Sequence, residues 1–180
     1  MHTVIRFIIA GIIVASGLLV MFGLSSARAQ SSVLSNEQLS LIRQNCQSTK
    51  STLNQLHMTD ALLRVNRGQV YEALSTKLMD RFNARLSNNQ LDNKATVSVS
   101  TSYNSALNIF RSNYKAYEER LSDTLKMDCS ADPSGFYWAI DDARSKRERV
   151  HGDVQRLHRL IDDYRSAVND FLLNYDRTQR

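Results

Sequence analysis

The 180 residues suit one domain with a targeting element, and 23 basic against 18 acidic side chains give a formal net charge of +5. Losing Arg6 and Arg28 with an N-terminal leader would lower that by two, too mild an excess to argue for nucleic acid. Pro occurs once and Gly six times, so turn formers are scarce and the chain reads as all-α.

In chain order, the first feature is a leader. Arg6 and the free amine precede an uncharged run from Phe7 to Leu24, and Ala27-Arg28-Ala29 then fits the small-x-small cleavage pattern ahead of Gln30. The run also reaches the lower limit for a membrane span. An uncleaved anchor with its amine inside therefore stands beside a signal peptide cut between Ala29 and Gln30. No Cys adjoins the cut, which argues against a lipoprotein. Either way, residues 1–29 export the chain and residues 30–38 form a linker, leaving 39–178 as a helical bundle outside the cytoplasm. An uncleaved leader would hold the chain to the membrane.

Ser35-Asn36-Glu37-Gln38 is a capping box that opens the first helical stretch. That stretch runs past Gly68 to Asn88-Asn89. Its seam reads Ile42, Cys46, Thr49, Leu53, Leu56, Asp60, Leu63, Arg67, Val70 and Leu74, with Thr59, Leu63, Asn66 and Val70 as an alternative. The second stretch repeats the rhythm at Tyr103, Leu107, Phe110, Tyr114, Tyr117, Leu121 and Leu125. The third opens at Asp132-Pro133, an N-cap followed by the residue best tolerated in a first turn. Its stripe is Val150, Val154, Leu157, Ile161, Tyr164, Val168, Phe171 and Tyr175. Stripes of this kind mean core rather than a cofactor box.

Cys46 and Cys129 lack a nearby CxxC, and in an exported chain such a pair points to a structural disulfide; two buried free thiols are the alternative. The disulfide bears on where the second helix starts. "TVSVSTS", residues 96–102, alternates like a strand. A helix starting only at Thr101 covers ~40 Å by Met127, while the first covers ~63 Å from Cys46 to Asn88, and the cysteines could not meet. A start near Leu91 gives ~55 Å and lets them approach. The third helix, ~67 Å from Pro133 to Arg177, matches the first. The expected fold is an elongated antiparallel up-down-up three-helix bundle, coiled-coil-like and stapled at one end.

In that register a residue of the third helix lies beside one about 87 positions earlier in the first, so Arg147 falls level with Asp60. Both interrupt apolar seams. A buried or half-buried ion pair that fixes register is the simplest account, with a wider seam merely flanked by charges as the plainer one. One reading of that level is a polar waist at Asp60, Arg64, Arg67, Arg147 and His151, near His57, Glu148, Gly68 and Gly152, able to bind an anion or small ligand; a solvated helix surface explains most of these charges equally well. Glycine inside a helix often marks close backbone approach.

Catalytic and metal chemistry finds little support. His151 and His158 are two turns apart, too far for i, i+4 chelation, and the pairs Asp141-Asp142 and Asp162-Asp163 point to different faces. No GxSxG, P-loop or Rossmann glycine pattern occurs. The chain is therefore not expected to be an enzyme, nor to hold a cofactor or metal. The basic run from Arg144 to Arg159 is broken by Glu148 and Asp153 and reads as a solvated flank. Phe136, Tyr137 and Trp138 are three consecutive rings of which one helix can bury only part, so the cluster is a candidate partner surface, with at least one ring facing a partner or a membrane surface.

The stretches "DALLRVNRGQVYEALSTKLMDRFNARL" and "FRSNYKAYEERLSDTLKMDC", with the leader, resemble a group of uncharacterised exported helical proteins of candidate phyla radiation bacteria, the Saccharibacteria type. The resemblance covers most of residues 40–175 and implies an envelope location. It carries no residue role. Two functions stand. One is an extracytoplasmic structural or interaction protein, a spacer, scaffold or attachment element that meets an envelope protein or a second copy of itself. It calls for a filled waist and an exposed apolar strip elsewhere. The other is an envelope ligand-binding module, which calls for a cavity at the waist.

Overall fold

The structure, a computed structural model, describes residues 33–178. The leader with its Ala29/Gln30 cut lies outside the described residues. Among those described, the chain is all-helical: α1 (Asn36–Gln44), α2 (Cys46–Ala73), a π-helical segment (Leu74–Met79), α3 (Asp80–Asn88), α4 (Lys94–Lys126) and α5 (Pro133–Thr178). Leu34 to Arg180 make one compact unit. None of its described helices is long and apolar enough to cross a membrane.

Local chemistry sets the boundaries. Ser35 accepts from the Gln38 amide at 3.2 Å while Gln38 Oε1 accepts from the Ser35 amide at 2.8 Å, a complete capping box. Residues 36–38, placed in the linker by sequence, are thus the first turn of α1. The expected single run to Asn88 is interrupted at Asn45, whose side chain donates back to the Leu41 carbonyl at 2.9 Å and competes with the helical ladder. Gly68 interrupts nothing. "TVSVSTS" is helical within α4, since Thr96 and Ser100 turn inward and their hydroxyls bond to carbonyls three residues earlier. Tertiary burial overrides strand propensity here. Asp132 caps α5 by accepting from the Gly135 amide at 2.8 Å.

The central core joins Tyr71 and Met79 to Tyr103, Ala106, Leu107 and Phe110 of α4 and to Leu157 and Tyr164 of α5. A second cluster comprises Tyr114, Tyr117 and Leu121 with Leu53 against it. The stripe expected on α4 is buried from Tyr103 to Leu121. The first seam is different beyond the waist: Val70 is 56% exposed, and Tyr71, Ser75 and Met79 take the inward places. Steps of four residues overshoot a 3.6-residue turn, and the wider i→i+5 winding of residues 74–79 absorbs the excess, with the Asp80 amide donating to the Ser75 carbonyl.

Polar groups in this core are bonded. Tyr103 donates to the Tyr71 carbonyl at 3.0 Å, Ser75 donates to Asn104, and Asn83 donates to Ser100 Oγ at 2.8 Å. Tyr164 donates to Asn83 Oδ1 at 3.0 Å, and burial pushes its phenol up to about 12. Cys46 and Cys129 form a disulfide, with Cα atoms 5.6 Å apart. Beside it Lys50 donates to the Met127 carbonyl at 3.1 Å and Arg43 to that of Ser130 at 3.3 Å.

Candidate functional site

About four turns along α2 from Cys46 the seam is not filled: a cleft of about 470 Å³ opens between α2 and α5, floored by α4. From α2 come Asp60, Leu63, Arg64, Arg67 and Tyr71; from α5 come Arg144, Arg147, Glu148, Val150, His151 and Val154. Phe110, Tyr114 and Tyr117 make the floor, spaced at four and three residues so that successive turns of α4 present one ring each. The volume is that of a small-molecule site. Its wall runs roughly 15 Å along each helix, from Asp60 to Tyr71 and from Arg144 to Val154.

All five residues of the polar waist, Asp60, Arg64, Arg67, Arg147 and His151, line this one cleft. Arg147 donates to Asp60 through Nε at 2.7 Å and through the second guanidinium nitrogen at 3.2 Å, a two-pronged pair. Tyr117 donates to the same carboxylate at 2.7 Å. The partners are unequal: the Asp60 side chain is 12% exposed and that of Arg147 is 51% exposed. Burial pushes the Asp60 carboxyl up, but the Arg147 and Tyr117 hydrogen bonds and the Arg147 charge together outweigh it and hold the group below the ordinary carboxylate range. Burial, reinforced by the bond to Asp60, pushes the Tyr117 phenol well up, so it remains a donor across the physiological range.

Arg64 lies over the Tyr114 ring, 5.1 Å from its centre, a cation–π contact. Burial pushes the Tyr114 and Tyr71 phenols up, opposed by the charges of Arg64 and Arg67 respectively. His151 sits 3.0 Å from the Gln155 amide nitrogen. At one end of the cleft the Tyr71 hydroxyl meets His158 Nε2 at 3.0 Å, and near the other His57 pairs with Glu118 at 3.0 Å. Sequence reasoning placed Tyr71 in no seam and assigned Phe110, Tyr114 and Tyr117 to core alone. Arg144 was read as part of a solvated flank.

Two expectations are corrected here. A side chain added at Gly68 or Gly152 would meet nothing within 4 Å, so neither glycine serves close backbone approach. Gly68→Ala and Gly152→Ala should each stabilise the fold by up to about 1 kcal/mol through helix propensity and reduced unfolded-state entropy. Thermal melts check this, and a fall in either melting temperature would mean a backbone constraint outside the packing. Phe136 is not part of a partner surface: it is 1% exposed and core, because Tyr137 and Trp138 alone take the outward positions of that turn. Those two, 40% and 42% exposed, meet edge to face with ring centres 5.1 Å apart.

Among the described residues no group of three or more His, Cys, Asp or Glu is placed to hold a metal ion. No protein-family model matches the chain, and no curated protein or solved structure matches it significantly.

Proposed function

We propose that the chain is an extracytoplasmic ligand-binding module, exported by residues 1–29 and built as an up-down-up three-helix bundle. The bundle is supported by the register of its contacts. Arg43 with Ser130, Asp60 with Arg147 and Tyr71 with His158 all lie 87 residues apart, as helices running the same way require. Partners between the α2-to-α3 run and α4 with its C-cap instead converge, from Lys50 with Met127 to Asn83 with Ser100. The disulfide supports an oxidising compartment.

The observation that carries the binding reading is the open waist. A spacer needs no gap in its core, whereas here aromatic rings, aliphatic walls and a few fixed polar groups converge on one concave space. The test uses two matched probes, neutral 2-naphthamide and anionic 2-naphthoate. At least one should raise the melting temperature of the wild type and leave that of Leu63→Trp unchanged, since Leu63 lines the cleft at 44% exposure and an indole there would fill it. If neither probe shifts the wild type, the binding reading is lost.

The interaction-protein reading rests on a different surface. Met58, Leu62 and Val65 are 60%, 64% and 47% exposed at helical spacing on α2 and form an apolar strip. On that reading the strip seats a second copy or an envelope protein, and Leu62→Glu should abolish any concentration-dependent mass seen by sedimentation. A wild type that stays monomeric at high concentration removes self-association from it.

A further inference from the structure

The charge inventory of the cleft is lopsided. Four arginines face two carboxylates, and Asp60 is already committed to Arg147 and Tyr117. Among the described residues Arg64 and Arg67 on the α2 wall and Arg144 on the α5 wall form no ion pair, although all three line the one cleft. Glu148 offsets one of them. The remaining excess is positive, and it sits above a floor of Phe110, Tyr114 and Tyr117 rather than beside open solvent alone. These guanidinium groups are exposed, so water screens much of their mutual repulsion, and an arriving anion relieves what remains.

The floor adds a second requirement. Three rings spaced along α4, with Leu63, Val150 and Val154 at the sides, favour a flat or extended apolar body over a compact hydrated ion. Inorganic phosphate would gain the charges but make no use of the apolar lining, in which Leu63, Val150 and Val154 stand beside rings that show only their edges to the cleft, Phe110 at 4%, Tyr114 at 8% and Tyr117 at 2% exposure. A neutral ring system would gain the rings and leave the guanidinium groups uncompensated. Arg64 already lies over Tyr114, 5.1 Å from the ring centre, which holds its charge at the floor of the cleft within reach of a carboxylate or phosphate.

Resting on the binding reading above, we infer that the waist cleft of this chain selects a small organic anion with a planar or extended apolar body, holding the charge on Arg64 and Arg67 and the body on Tyr114 and Phe110. The slot of roughly 15 Å accommodates two or three fused rings, or one ring with a short chain.

Calorimetric titration at low and high salt separates the possibilities with 2-naphthoate, 2-naphthamide and inorganic phosphate as probes. The naphthoate is expected to bind at least tenfold tighter than either other probe, with the advantage over the amide shrinking as salt rises. Arg67→Gln should weaken naphthoate about tenfold and leave naphthamide unchanged, whereas Arg64→Gln, which also uncovers the Tyr114 ring, should weaken naphthoate several-fold more than naphthamide. Glu148→Gln should tighten naphthoate several-fold, a gain that a merely damaged site would not give. Equal binding of naphthamide and naphthoate, or indifference of naphthoate to all three substitutions, overturns the anion assignment and leaves the binding module standing. Binding of phosphate as tight as that of naphthoate overturns the requirement for an apolar body. Failure of every probe removes the binding reading and this inference together.

Discussion

Replacing Cys46 and Cys129 together by Ala should lower the stability of the oxidised protein by about 4 kcal/mol, and its melting temperature by roughly 10 °C. The bridge spans 83 positions, nearly the whole path up one helix, around the 89–93 connection and back. Its removal frees a long loop in the unfolded chain, and that entropy supplies most of the loss. Folded-state contacts at that end are unequal: Cys129 is fully buried, as are Thr124 and Phe136, while Cys46 is only half-buried and Lys50 and Arg43 donate to carbonyls at the rim. The unfolded state should therefore carry the signature. In urea the midpoint should fall while the slope rises, because the uncrosslinked chain exposes more surface. An unchanged midpoint would mean that the helices hold their level without the staple.

The staple also explains why so much of the waist was legible in the sequence. Two cysteines at 46 and 129 fix one level, Pro133 fixes the start of α5, and a rise of 1.5 Å per residue then carries the register upward. Asp60 and Arg147 follow from that arithmetic, since both break an apolar stripe at the same height. The same logic applied to α4 would have reached the floor. Residues facing each other across α2 and α4 count in opposite directions from the cysteines, which sets Asp60 near Tyr114 and Tyr117. A phenol there is the donor that a half-buried carboxylate needs, but a tyrosine in a heptad position is indistinguishable by pattern from any other core ring.

What the pattern did not reveal has local physical causes. Asn45 ends α1 through its own side chain, a choice that helix periodicity does not register. The π-helical winding at Leu74–Met79 is a tertiary solution: Tyr71, Ser75, Met79 and Asn83 recur every fourth residue, and no rigid α-helix keeps such a stripe facing inward for long. Val70 was an attractive seam residue by hydrophobicity, yet that rewinding leaves it outside. The two glycines misled because a cost in helix propensity was read as a sign of contact, whereas the space beside both is open.

Asp60→Ala should cost about 2 kcal/mol at neutral pH, more than either partner's removal. The carboxylate accepts from a guanidinium and from a phenol, but the two losses differ in kind. Arg147 is half exposed, so water takes over its donors and the solvent-screened ion pair contributes under about 1 kcal/mol. Tyr117 is 2% exposed, and its hydroxyl, deprived of an acceptor, carries a desolvation penalty of roughly 1–3 kcal/mol. The expected order of destabilisation is Asp60→Ala, then Tyr117→Phe, then Arg147→Ala. Acid supplies an independent check. The folded carboxyl titrates below its unfolded value, so its contribution is fully present above about pH 4, the ordinary carboxylate range, and is lost as pH falls through the lower folded value. Asp60→Asn keeps an acceptor for Tyr117 and removes the titrating group. Its stability should therefore run closer to wild type at pH 3 than at pH 7. Were Arg147→Ala instead the most damaging of the three, the ion pair would be the element that locks α2 to α5, and the buried phenol would be secondary.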